Sequence, residues 1–164
     1  MITVINTQKA FVVPKKLFVQ AIKDMLHTID FGHYSLSVVL CGSARMKTYN
    51  TRFRGAEKAT DVISFPAHKS GILAPNKALR GDAAYLGDIV LCPEVINKKR
   101  KDWNQLFYEH LLMLTAHAIA HLLGHDHVTD EQYEAMNAVE QKMFAVVKKN
   151  QNSLFYKEMK RGKK

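Results

Sequence analysis

The chain is short of the residues that staple or anchor a protein. It has two cysteines, Cys41 and Cys92, in separate segments and with no C-x-x-C pair. That excludes a disulfide framework and leaves two buried strand thiols in a reduced, cytoplasmic protein as the expectation. No apolar run comes near the length that spans a bilayer, and the N-terminus lacks the basic-then-apolar layout of a signal segment, so no membrane partner is expected. Acid is scarce at one end. Residues 148–164 hold seven basic residues against one acid, Glu158, so this stretch carries +6 of the net +9. The remainder is only mildly basic. Such a tail is either a solvated chain end or an electrostatic hold on a polyanion such as RNA.

What is present describes one soluble domain. A length of 164 residues with 47% hydrophobic and 24% charged residues suffices for a core without staples. MITVINT (1–7), YSLSVVLC (34–41), TDVISFP (60–66) and YLGDIVLC (85–92) read as four strands. Pro14 opens a helix with Leu17, Phe18, Ala21, Ile22, Met25, Leu26 and Ile29 at helical spacing. Ser43 is the expected N-cap of a second helix that ends near Gly55. Residues 67–84 have no clean period and read as an exposed loop. Pro93 starts a short helix that is basic at 98–101. A long helix follows from about Asn104 to Leu123, apolar almost all round at LLMLTA and therefore central and buried. Thr129 and Gln132 suit a capping box for the last helix, with Met136, Val139, Met143 and Val146 as its inner stripe. The expected organisation is one α+β domain over 1–150 and a basic tail over 151–164.

The chemistry is concentrated in HAIAHLLGHDH (117–127), four histidines in eleven residues. The stretch keeps the histidines and glycine of the zinc-hydrolase pattern H-E-x-x-H-x-x-G-x-x-H, but Ala118 stands where that pattern has its glutamate. His117 and His121, four apart on a helix, share one face one turn apart. Gly124 breaks the helix and lets the chain return His127. Three neutral imidazoles leave one position of a tetrahedral ion open, as catalytic sites do. The expected cofactor is one divalent metal ion, zinc by default, with nickel or another divalent ion as alternatives. His110 lies on the same face two turns away, about 10 Å along the axis, too far to share the ion. His125 has three readings: a substitute for His127, an acid–base group, or a solvated side chain.

In peptidases of this pattern the glutamate takes a proton from the attacking water, so Ala118 argues against peptide hydrolysis. RNA cleavage has looser demands. Water at the ion or the substrate's own 2′-hydroxyl can attack, and the phosphodiester needs a cation on its phosphoryl oxygens. Arg54, at a helix end just before a strand, is the candidate, because its fork fits phosphate better than lysine does.

Three motifs occur in order: NTRFRGAEKATDVISFP (50–66), LGDIVLC (86–92) and HAIAHLLGHDH (117–127). In them the chain resembles the YbeY family of single-domain, metal-dependent endoribonucleases of ribosomal RNA maturation. The resemblance implies a small mixed sheet of about four strands packed with about five helices. It also implies one metal held by His117, His121 and His127 at the end of the central helix. The family's invariant arginine falls on Arg54. The family likewise lacks the peptidase glutamate, having glycine where this chain has Ala118. Ala120 and His125 also depart, standing for a leucine and a tyrosine. Among lesser candidates, Asp61 and Ser64 either orient Arg54, touch substrate, or are turn and strand residues, and Asp88 either faces the cleft as a substrate-binding residue or caps a backbone. Asp126 either steadies a metal histidine or is a plain turn residue. The function expected is single-strand-specific, metal-dependent RNA cleavage in ribosomal RNA maturation and ribosome quality control. Precursor ribosomal RNA and the ribosome or its small subunit are the expected partners. A non-catalytic assembly factor with a structural metal and, third, a metallopeptidase are the alternatives.

Overall fold

The computed structural model describes residues 1–68, 71–75 and 79–150; the expected basic tail at 151–164 lies outside them. Strand β1 (Ile2–Asn6) pairs in parallel with β2 (Ser35–Leu40), and helix α1 (Lys15–Thr28) makes the crossover between them. Helix α2 (Ser43–Arg54) leads into β3 (Val62–Pro66), which runs antiparallel to β4 (Tyr85–Leu91). β4 inserts beside β2, giving the order β1-β2-β4-β3 with β3 alone reversed. Helices α3 (Pro93–Lys99), α4 (Phe107–Leu122) and α5 (Asp130–Lys149) complete the chain. Among the described residues this is a four-stranded mixed sheet with five α-helices, in one small α+β domain.

Strand alternation sends side chains to two cores. Leu36, Val38 and Leu40 of β2 join Leu86, Ile89 and Leu91 of β4 under α1, α4 and α5. The opposite face is smaller, with Met46, Ile63, Val90, Cys41 and Cys92 packed under α2 and the start of α3. Both thiols are buried, and burial, followed by the neighbouring Cys92, pushes the Cys41 thiol up to about 11. Both are packing groups as expected, but each sits just past the end of its strand rather than within it. Ten of the sixteen residues of α4 are buried, which confirms it as the central helix. Burial of each large aliphatic side chain there contributes about 1.5–3 kcal/mol. No helix among the described residues is long and apolar enough to cross a membrane.

Several boundaries differ from the sequence expectation for identifiable reasons. Gly42, not Ser43, is the N-cap of α2. The Ser43 N–H donates to Glu94 over 3.2 Å and its hydroxyl bonds the same carboxylate, so a charged acceptor on α3 takes the side chain away from capping. α4 begins at Phe107 rather than Asn104, because Asn104 adopts φ +50, which no α-helix continues. Inside the expected loop, Gly81–Ala84 forms a short 3-10 turn that feeds β4. The Thr129 box forms as expected: the Gln132 N–H donates to the Thr129 hydroxyl, and the Gln132 side chain accepts from the Thr129 N–H. On α5, Met136 and Met143 are buried with Phe144 and Val147, whereas Val139 and Val146 are only partly covered.

The LGDI motif has a structural explanation. Ser35 faces Tyr85 and Ser37 faces Asp88, so three residues of β4 span two of β2. This bulge lets Leu86 and Ile89, three apart, both enter the same core. Gly87 sits in it at φ +133, and a Cβ there would collide with the Phe65 carbonyl oxygen on β3. Gly87→Ala is therefore expected to cost at least ~2 kcal/mol, visible as a lowered urea midpoint with an unchanged slope.

Candidate metal centre

The metal site is built by the way α4 ends. The Gly124 N–H donates to the His121 carbonyl and the His125 N–H to that of Ala120, each over 3.0 Å, a Schellman closure with Gly124 at φ +89. A Cβ on Gly124 would strike the carbonyl of Gly71, and the Leu73 N–H donates to the Leu123 carbonyl over 2.8 Å. The segment 71–73 is thus seated on the helix end. The Asp126 carboxylate accepts from the His127 backbone N–H over 2.8 Å and pins the turn that returns this histidine. Asp126 hydrogen-bonds the backbone here, as a turn residue, and its charge also acts on the His121 imidazole.

His117, His121 and His127 each offer a nitrogen within 4.8 Å of the other two. His117 and His121 are half-buried and His127 is exposed. The His121 Nδ1 lies 3.0 Å from the His125 carbonyl oxygen, and the His117 Nδ1 lies 2.8 Å from Glu140 Oε1 on α5. Both acceptors fix the tautomer, with the proton on Nδ1 and a lone pair on Nε2. Those two Nε2 atoms face each other at 3.2 Å. Two ligands of a tetrahedral zinc at about 2.05 Å would lie about 3.3 Å apart, so the pair is already spaced for an ion. Burial first, then the charge of His117, keeps the His121 pKa below its usual value, which preserves its ligating form. The three residues therefore fit a divalent cation by donor type and grouping, and His117 and His121 also by tautomer and spacing.

A cleft of about 370 Å³ opens over this group. Its walls bring Arg54, Asp61 and Ser64 together with His117, His121, His127 and Asp126, while Ala118 lies on the floor. Arg54 reaches it because α2 stops there. Gly55 caps the helix at φ +68, and buried Asn50 donates to the Lys58 carbonyl over 2.7 Å, which folds the 55–59 connection back. Asp61 accepts from Lys99 over 3.0 Å, from Thr60 over 2.9 Å and from the Val62 N–H over 3.1 Å. Two candidates lie elsewhere. Asp88 is on the exposed side of β4, 2.7 Å from the Tyr85 hydroxyl, and does not line the cleft. The His125 ring is outside both the cleft lining and the metal group, and burial lowers its pKa. Its carbonyl, not its ring, serves the site.

Glu140 was missed from the sequence, although a signal existed. Met136, Glu140, Met143 and Val147 follow helical spacing, so an acid sits on the buried stripe of α5. An acid there needs a partner, and His117 is that partner. The Asp61–Lys99 pair was also not foreseen.

A family model described as Endoribonuclease YbeY matches residues 3–148. The chain belongs to the YbeY family. Curated proteins named Endoribonuclease YbeY include one from Nitrobacter hamburgensis, 38% identical over 117 residues, covering 71% of this chain and 60% of that protein. Another, from Parvibaculum lavamentivorans, is 41% identical over 106 residues, covering 64% and 57%. The chain spans about 60% of the length of these curated relatives. A Thermotoga maritima protein known from its solution structure shares the fold, with a TM-score of 0.58 at 23% identity over 93% of this chain and 95% of that one.

Replacing Glu140 by Ala is expected to weaken divalent-ion binding about 10–100-fold, measured by competition with a chromophoric chelator. The Asp61 pair gives a pH signature. Burial raises the Asp61 pKa, but the Lys99 hydrogen bond and charge, with Thr60, outweigh it and hold the carboxyl below its ordinary 3.8. A depressed folded pKa adds stability above the unfolded value, which is lost as pH falls through the folded one. Lys99 is 47% exposed, so solvent screens the pair. Asp61→Asn is expected to cost about 1 kcal/mol at pH 7, with the gap to wild type closing as unfolding is followed below pH 3.8.

Proposed function

We propose that the protein is a metal-dependent, single-strand-specific endoribonuclease acting on precursor ribosomal RNA. The observation that supports this best is the shared cleft, with Arg54 and the three histidines on its walls. Zinc is the ion that three imidazoles favour. When bound, it supplies Lewis-acid polarisation of an oxygen and neutralises developing charge. The chain's own groups do the rest. Arg54 binds the phosphoryl oxygens of the scissile linkage with its planar fork, and Ser64 beside it offers a hydroxyl to the same phosphate. Glu140 and the His125 carbonyl hold the imidazoles in orientation. Asp61 would repel a phosphate if its charge stood free, but Lys99 engages it.

Ala118, on the cleft floor, occupies the sequence position of the peptidase glutamate. RNA meets this arrangement better than a peptide does, because its 2′-hydroxyl can serve as nucleophile and its phosphate needs the arginine. Family membership supports reading ribosomal RNA as the substrate, the ribosome or its small subunit as the partner, and the cytoplasm as the setting. Cleavage of a single-stranded ribosomal RNA fragment by the purified protein should be absent in His121→Ala prepared identically. Arg54→Ala should keep its metal content while kcat/KM falls about 100–1,000-fold. Arg54→Ala with wild-type activity would take that residue out of the mechanism, and equal cleavage by His121→Ala would mark a contaminant.

A further inference from the structure

Four consecutive basic residues, Lys98, Lys99, Arg100 and Lys101, run from the end of α3 into the turn beyond it, followed by Asp102 and Trp103. Trp103 is 66% exposed, an uncommon setting for a tryptophan and one that leaves most of its apolar surface in water. The turn that displays it is firmly built. Arg100 donates from Nε to Asn97 over 2.8 Å and from Nη1 to the Gln105 carbonyl over 3.1 Å. The Gln105 N–H returns to the Arg100 carbonyl over 3.0 Å, and the Gln105 side-chain oxygen lies 2.6 Å from the buried His110 Nδ1. Asn104 holds φ +50 between them, in the left-handed region that asparagine tolerates better than most side chains. Arg100 is thus a brace, while Lys98 and Lys101 are exposed on either side.

The position relative to the cleft is given by Lys99, whose ammonium lies 3.0 Å from Asp61, a residue of the cleft wall. The turn therefore flanks the cleft on the Asp61 side. An exposed aromatic set in a run of cations is what single-stranded nucleic acid requires: a π-face for a base and positive charge for the backbone. We propose that this turn is a second contact for the substrate strand, in which a nucleobase stacks on Trp103 and Lys98 and Lys101 hold adjacent phosphates. The inference rests on the reading of the cleft as an RNA site and extends it to a named subsite.

Trp103 is the only tryptophan in the chain, so intrinsic fluorescence reports on it directly. The full chain is titrated with an unstructured 2′-O-methyl oligoribonucleotide of about eight nucleotides, within the range one binding surface covers. Saturable quenching is expected. Trp103→Ala should bind the fluorescein-labelled oligonucleotide about tenfold more weakly, while Trp103→Phe keeps most of the affinity. With a cleavable strand, Trp103→Ala should raise KM and leave kcat near wild type. Equal quenching by inorganic polyphosphate, or unchanged affinity in Trp103→Ala, would overturn the stacking. A silent Trp103 would overturn it too and leave a protein partner for the turn. RNA-specific quenching without cleavage would sink the nuclease reading alone, whereas cleavage with a silent Trp103 would sink this inference alone.

Discussion

Two imidazole nitrogens facing each other at 3.2 Å set the terms for this molecule. With both Nδ1 atoms committed to oxygen acceptors, the Nε2 atoms of His117 and His121 present lone pairs to one another. Lone pairs held that close in a half-buried place repel unless a proton or a cation lies between them. Burial and the second imidazole disfavour the proton at His121, and a cation suits the pair better. The supports of the site follow from this need. α4 is buried along most of its length, so its histidines cannot swing apart. Gly124 closes the helix within one residue, and Asp126 pins the turn that brings the third ligand. α5 docks with an acid turned inward to hold His117.

The sheet serves the other half of the site. A fully parallel arrangement would have needed another crossover between β3 and β4. Reversing β3 places it on the open edge beside α4, so the end of α2 and the first residues of β3 meet the histidines across one cleft. The bulge at Gly87 is part of the same adjustment, since the β3 carbonyl at Phe65 comes too close for any side chain there. Asn50 and Gly55 then turn the chain tightly enough for Arg54 to reach the cleft from the far end of its helix.

Much of this was legible in the residues, and the limits were physical. The strands and the major helices showed in their periodicity, and the histidine spacing with a breaking glycine picked out the three histidines that the structure brings together. What escaped notice depended on partners distant in sequence. Glu140 has a partner only once α5 docks against α4 and sets it beside His117. Ser43 looked like a cap until Glu94, 51 residues away, claimed it. Asp88 looked like a cleft residue because its motif did, but the bulge turns it to the exposed side of β4. Asn104 suited a helix by composition, and only the bonded turn at 100–105 shows why it cannot join one.

The separation of the two halves along the chain has a kinetic side. The three ligands fall within eleven residues and Glu140 lies 23 from His117, whereas Arg54 precedes His117 by 63. Closing a short loop is faster and loses less chain entropy than bringing distant segments together. The cage needs only α4, its turn and α5, while the arginine waits for β3 to find β4. By loop closure alone the histidine group assembles first and Arg54 joins it last, so a nascent chain would gather three imidazoles before the arginine faces them.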